Sequence, residues 1–173
     1  GQQVTVKAAT TIACRFVGAF GDPIVTPFSE LNRLTPSPAR VAAASIDDIA
    51  QHGIVAARCR AIIALAAAQA AGGIRLDGAA HPNPDRAIAR LAELPSDDVQ
   101  AALVALPGIG PWTASYVRMR VLGDRDAFPA ADLGVIKALE ALGVARADHV
   151  ATAERWRPWR AYAVLHLWES LAD

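Results

Sequence analysis

Apolar side chains recur three and four residues apart in nearly every segment of this chain, which is the repeat of an α-helix and not the alternation of a strand. The chain is also rich in alanine, the strongest helix former, and a sheet would make poor use of it. The pattern predicts an all-α fold with no substantial sheet. With 173 residues, 53% hydrophobic and 20% charged, there is apolar surface for one well-filled core of domain size. Intrinsic disorder and a repeat array both fit poorly.

Turn residues divide the pattern into elements. A first helix is expected to run to about Phe20, where Gly21-Asp22-Pro23 stops it, and Pro23, Pro27, Pro36 and Pro38 make the next stretch a loop. Ser45 and Asp48 have capping-box spacing for a short helix that ends near His52-Gly53. Ala56 to Ala71 reads as a long helix closed by Gly72-Gly73. After the loop His81-Pro82-Asn83-Pro84, Asn83 is expected to cap a helix that starts at Pro84 and runs to Glu93. Ser96-Asp97-Asp98 caps the next helix, which reaches Leu106 and is broken by Pro107-Gly108-Ile109-Gly110 before Pro111 opens another to Val121 or Leu122. Asp132 stands at the start of a helix to Leu142, and a last pair of helices is separated near Trp156-Arg157-Pro158. No proline-rich linker divides the chain, so residues 1–173 read as one region.

Charge and cysteine usage exclude several function classes. The 17 Lys and Arg residues balance 17 Asp and Glu, so no arm or tail holds a polyanion by bulk charge and any nucleic-acid contact has to be local. The cations are Arg except for Lys7 and Lys137, and a planar guanidinium suits phosphates and carboxylates. Cys14 and Cys59 form no Cys-x-x-Cys pair, which leaves a zinc site, an iron–sulfur cluster and a disulfide scaffold without ligands; both read as buried small apolar residues. No uncharged apolar run reaches membrane-spanning length and Gly1-Gln2-Gln3 leads into no hydrophobic segment, so a cytoplasmic protein with no membrane contact is expected. Val4, Ala8, Ile12 and Phe16 form a helical stripe already running at the first residues with no cap ahead of it, which reads as a fragment whose N-terminal portion is missing.

Three features carry chemistry. In Leu106-Pro107-Gly108-Ile109-Gly110 the glycines permit positive φ and close backbone approach, while Ile109 is free to plug the core. The N–H groups of this turn and of the helix that follows can hold a phosphate without any Lys; the same turn would equally serve as a plain helix–helix corner. Thr113 occupies the third glycine position of a dinucleotide fingerprint and no strand precedes it, which argues against that reading. Trp112 and Tyr116 lie one helical turn apart on one face, in a chain with 6% aromatics, and would stack on a base or simply fill core. Asp132 is either only a helix cap or, if the helices around its loop fold back on one another, a carboxylate facing the same cleft as Trp112 and Tyr116. No Ser–His–acid or metal-ligand cluster competes for the chemistry.

Leu106-Pro107-Gly108-Ile109-Gly110-Pro111-Trp112-Thr113-Ala114, followed by Phe128-Pro129-Ala130-Ala131-Asp132-Leu133-Gly134, resembles the helix-hairpin-helix (HhH-GPD) DNA glycosylases, which carry a Gly/Pro-rich loop and an Asp. Gly1-Gln2-Gln3-Val4-Thr5-Val6-Lys7-Ala8-Ala9 and Glu154-Arg155-Trp156-Arg157-Pro158-Trp159-Arg160-Ala161-Tyr162-Ala163 are similar to the 3-methyladenine DNA glycosylase II branch. The likeness spans almost the whole chain and implies a compact helical fold with the helix-hairpin-helix at about 96–122. It implies a monofunctional base-excision enzyme that hydrolyses the N-glycosidic bond of flipped-out alkylated purines such as 3-methyladenine and 7-methylguanine.

Matched residue by residue, the resemblance makes Asp132 the catalytic carboxylate and puts Trp112, Tyr116, Trp168 and Leu133 around the base pocket. Some members have an aromatic where Leu133 and Gly134 follow the Asp in this chain. It assigns Gly108, Gly110 and Thr113 to a DNA backbone phosphate, and Gln3 to the gap left by the extruded nucleotide. The carbonyls of Val104, Leu106 and Ile109 match positions that cradle a monovalent cation at the hairpin; the chemistry itself needs no cofactor. Bifunctional members carry a Lys where Trp112 stands, and that amine forms a Schiff base, so its absence implies no strand cleavage. The implied partner is duplex DNA with alkylated bases, met by a monomer in a bacterial cytoplasm at the nucleoid. A non-catalytic helix-hairpin-helix DNA-binding module is the alternative reading, and it would have no use for a carboxylate against DNA.

Overall fold

A computed structural model describes residues 5–74, 76 and 96–171. Gln3, Val4 and the expected helix from Pro84 to Glu93, with Asn83 as its cap and the loop at His81, lie outside the described residues. Among the described residues the structure is helical, with no strand and one isolated bridge between Pro23 and Arg33. None of these helices is long and apolar enough to cross a membrane. Packing divides the chain into two compact units, Gly1–Ile74 with Leu106–Gly108, and Arg75–Ala105 with Ile109–Asp173.

In the first unit, helix α1 (Val6–Phe20) does have a cap, contrary to the sequence expectation: Thr5 Oγ1 accepts from the Ala8 N–H at 3.2 Å. The apolar stripe masked it, because Thr5 falls within the span the stripe makes look helical. Gly21 ends α1, where a Cβ would collide with the Leu34 carbonyl oxygen. The proline-rich stretch ends in a short helix that the sequence pattern does not announce: Ser37 caps α2 (Pro38–Ala42), with Pro38 in the first turn where its missing N–H costs nothing. Ser45 and Asp48 form the expected capping box of α3 (Ile46–Ala50). Helix α4 (Ala56–Ala70) gives way to Gly72 at φ +75, the left-handed residue expected there. Val41, Ile49, Cys59 and Ala66 form the buried cluster, with Phe16 and Phe20 packed against it. Cys59 is buried as expected but Cys14 is exposed, since two residues along a helix from Phe16 is the opposite face. The turn residue Gly108 also belongs to this unit; its φ is +79 and a Cβ would meet that of Ala61 at 3.1 Å, so glycine is required twice over.

The second unit holds α5 (Ser96–Val104), α6 (Pro111–Arg120), α7 (Leu133–Ala141), a 3-10 turn (Arg146–Asp148), α8 (His149–Glu154) and α9 (Arg160–Glu169). Helix α5 stops at Val104 instead of Leu106 and α6 at Arg120 instead of Val121, as each chain tightens into its turn. Val135, Ala138 and Leu139 on α7 meet Ala161, Val164 and Leu167 on α9, joined by Met119 and Ala127. Burying Leu139 or Val164 fully contributes roughly 2 kcal/mol each.

The loop between α6 and α7 is pinned by ions. Buried Arg118 on α6 donates through Nε and Nη2 to Asp124 and through Nη1 to Gln100 on α5. Gln100 in turn donates to Ser115 Oγ at 3.3 Å. Asp126 accepts two parallel hydrogen bonds from Arg160, at 2.7 and 2.8 Å, and a third from Arg157. The Ala161 N–H donates to the Arg125 carbonyl at 2.9 Å. The start of α9 is thus bolted to the loop that delivers Asp132.

Candidate active site

Asp132 closes that loop and caps α7, its Oδ1 accepting from the Val135 N–H at 3.0 Å. The same oxygen accepts from the Trp168 indole N–H at 2.8 Å, and Oδ2 accepts from the Trp112 indole N–H at 2.8 Å. Trp112 lies in the first turn of α6, Tyr116 one turn on, and Trp168 near the end of α9. The helices do fold back as the sequence argument required, and Asp132 is more than a cap. Trp112 and Tyr116 stack with centroids 5.1 Å apart and planes 15° from parallel; Tyr116 and Trp168 are 6.2 Å apart and tilted by 37°.

The charge on Asp132 follows from these contacts. Partial burial pushes its pKa up, but hydrogen bonds from Trp168, Val135, Trp112 and Gly134 together outweigh that and hold it below the ordinary 3.8. Among the described residues every hydrogen-bond donor to Asp132 is a neutral N–H. The group is therefore ionised at neutral pH, and these described donors carry no charge to cancel its field.

The sequence reading names Gly134 in the motif after Asp132 but gives it no role in the site. A Cβ on it would fall 2.9 Å from Trp168 Cδ1, 3.1 Å from Trp168 Nε1 and 3.1 Å from Asp132 Oδ1. The available signal was a glycine within the first turn of a helix, which weakens the helix unless something must approach closely.

The other expected residues are spread more widely. Ile109 is buried and Gly108 takes the left-handed backbone, but Gly110 does not; it is extended at φ −88, ψ 171 and caps α6 with no side chain to satisfy the N–H groups that follow. Among the described residues, its chain neighbours aside, nothing lies within 4 Å of where its Cβ would be. Thr113 is half-buried in the first turn of α6, Val104 is exposed at the end of α5 and Leu106 is half-buried. Leu133, at the start of α7, is 71% exposed. A shallow cavity of about 170 Å³ lies elsewhere, between Met119, Arg120, Arg125 and Tyr162, and holds none of the expected site residues. Among the described residues no three His, Cys, Asp or Glu side chains are grouped to hold a metal ion.

The sequence matches the family model of the HhH-GPD superfamily base excision DNA repair proteins over residues 1–161. It is 41% identical over 98% of its length to a probable bifunctional transcriptional activator/DNA repair enzyme AlkA of Mycobacterium tuberculosis, of which it covers 31%. DNA-3-methyladenine glycosylase 2 of Escherichia coli is 32% identical over 97% of the chain, which covers 53% of that relative. Among solved structures, 3-methyladenine DNA-glycosylase from Archaeoglobus fulgidus superposes with a TM-score of 0.69 at 23% identity, over 96% of this chain and 53% of that one. The Schizosaccharomyces pombe 3-methyladenine DNA glycosylase Mag1, solved with abasic DNA, gives 0.71 at 22% identity, over 97% of this chain and 74% of that one. The chain spans about half or less of the length of these two curated relatives. With a family match over most of its residues, this helical chain belongs to the HhH-GPD superfamily of base excision DNA repair proteins.

Proposed function

We propose that this chain carries the base-excising centre of a monofunctional DNA glycosylase that removes alkylated purines of the 3-methyladenine and 7-methylguanine type from duplex DNA. One observation carries the reading: among the described residues the Asp132 carboxylate is held by neutral N–H groups beside a run of three aromatic rings. The names of the relatives support the same reaction.

The damaged nucleotide leaves the helix at a cost of a few kcal/mol, less for a poorly paired base. An alkylated purine carries positive charge, so the electron-rich faces of Trp112, Tyr116 and Trp168 favour it by roughly 0.5–2 kcal/mol. Each indole that donates its N–H to an anion gains π density, which sharpens that preference. Because Tyr116 already covers one face of Trp112, the base takes a face the stack leaves open and does not insert between the two rings.

The bond between C1′ and the base nitrogen then breaks, the electron pair leaving with the base and neutralising its charge. The sugar becomes oxocarbenium-like, and the uncompensated charge of Asp132 stabilises it. Water adds to C1′ and loses its proton to solvent, leaving an abasic site in an intact strand. A cationic base is already a good leaving group, so no second acid is needed. Trp112 offers no amine for a Schiff base, and borohydride is expected to trap no enzyme on DNA.

DNA is held at the start of α6, with a backbone phosphate on the N–H groups of Gly110 and Thr113. The open space around Gly110, which the protein's own packing does not require, supports a close ligand approach there. The carbonyls of Val104, Leu106 and Ile109 are neutral oxygen donors that suit a monovalent cation, whose charge would offset that phosphate. Gln3 would fill the gap left by the extruded nucleotide, and Leu133 would edge the base pocket. Single-turnover base release from methylated duplex DNA tests the reading: free 3-methyladenine with an intact strand supports it. DNA binding with no base release in any methylated substrate contradicts it and leaves a binding module.

A further inference from the structure

We propose that Gly134 is a positioning residue for the reaction at Asp132: its missing side chain is the slot through which the Trp168 indole reaches Oδ1, fixing that oxygen and leaving Oδ2 to the chemistry. The inference rests on the glycosylase reading of the site.

The geometry divides the carboxylate unequally. Oδ1 accepts from Trp168 Nε1 and from the Val135 N–H, which uses the lone pairs a carboxylate oxygen offers. Among the described residues Oδ2 accepts one side-chain hydrogen bond, from Trp112 Nε1, and the Gly134 N–H adds a further contact to the carboxylate. Trp168 and Asp132 lie on different elements, and the indole crosses the first turn of α7 directly over Gly134. A Cβ there would meet Cδ1 at 2.9 Å and Nε1 at 3.1 Å. These are atoms of a rigid ring in contact with Tyr116, not the end of a flexible chain, so the indole itself has to move. No positive φ explains the glycine, since Gly134 lies outside the residues in the left-handed region.

Two variants separate this role from general structural support. Gly134→Ala adds the obstructing methyl; Trp168→Phe keeps a flat ring and removes only the donor. Both are compared with wild type by following the indole ¹⁵N–H resonances through an acid titration, and by the pH profile of single-turnover base release. In wild type the Trp112 and Trp168 resonances are expected to move together as Asp132 titrates. In Gly134→Ala only that of Trp112 should follow.

Both variants should move the acid limb of base release to higher pH and lower the rate roughly tenfold, the scale of one hydrogen bond to a charged group. The double variant should do no more than either alone, because both remove one bond. A Trp168 resonance in Gly134→Ala that titrates as in wild type overturns the inference, as do effects that add in the double variant. If Gly134→Ala fails to fold, Trp168→Phe decides: an unmoved acid limb overturns the inference. A wild-type chain that releases no base while both resonances titrate together contradicts the glycosylase reading instead, so the two failures are distinguishable.

Discussion

Asp126 and Asp132 stand on the same loop, both accept several hydrogen bonds, and they do opposite things. Asp126 is gripped by the guanidinium groups of Arg160 and Arg157, which cancel its charge while they fix its place. Asp132 is gripped by two indole N–H groups and backbone N–H groups, which fix its place and leave its charge whole. A carboxylate bonded to cations is a bolt; one bonded to neutral donors is a source of field. Asp124, paired with buried Arg118, belongs with the bolts. The difference in partner, more than any difference in burial, is what sets Asp132 apart from the other two acids and underlies the role proposed for it.

That contrast sorts the expected effects of mutation. The largest loss of stability comes from Arg118→Leu, which strands Asp124 in a site where the two side chains are 9% and 19% exposed. Removing one partner of such a pair costs about 3–5 kcal/mol, read as a lower midpoint in urea unfolding. A midpoint within a few tenths of a molar of wild type would show that this pair is not a bolt. Next comes Trp112→Phe, which keeps the ring but deletes the donor to Oδ2. Base release should fall roughly tenfold, about 1.4 kcal/mol, with little change in melting temperature. A reversed pattern, with stability lost and rate kept, would place Trp112 among the structural residues.

Asp126→Asn is expected to cost about 1 kcal/mol of stability, because asparagine still accepts from the guanidinium groups and Glu154 also pairs with Arg160 and Arg157, and the cost should shrink in high salt. The acid limb of base release should stay where it is, whereas any change at the Asp132 donors should move it. Smallest is Arg157→Ala, whose side chain is half exposed; thermal melts should register less than about 1 kcal/mol.

The pH dependence has a definite sign. The pKa of Asp132 is lowered on folding, so the stability it lends is fully present above the ordinary carboxylate value of 3.8 and is lost as pH falls through the lower folded value. Base release should therefore show no acid limb from Asp132 above that ordinary value. A limb near neutral pH that Asp132→Asn removes would mean that burial, and not the N–H donors, sets the charge state.

Much of this was legible in the sequence because it depends on local rules. Helical spacing gave the all-α architecture, Ser45 with Asp48 gave a capping box, and Asp132 declared itself at a helix start. The closeness of Trp112, Tyr116 and Asp132 followed from a loop that has to reverse the chain. What stayed hidden needed contacts across long stretches of sequence. That Trp168 hands its N–H to an acid 36 residues away, and that Gly134 exists to let it through, is visible only once α7 and α9 are packed together. The cap at Thr5 and the short helix at Pro38 were hidden for a different reason, since a stronger neighbouring signal, an apolar stripe in one case and a proline cluster in the other, claimed the same residues.

The central claim is that the unneutralised charge of Asp132 drives base loss, and Asp132→Asn tests it most directly. Asparagine keeps the size of the side chain and an oxygen for the indole donors but carries no charge. Single-turnover release of 3-methyladenine from methylated duplex DNA should fall by about 100-fold or more, the scale of a removed electrostatic contact. DNA affinity should be unchanged or tighter, because a negative charge facing phosphates has gone. Release within a few-fold of wild type at equal DNA occupancy would contradict the account.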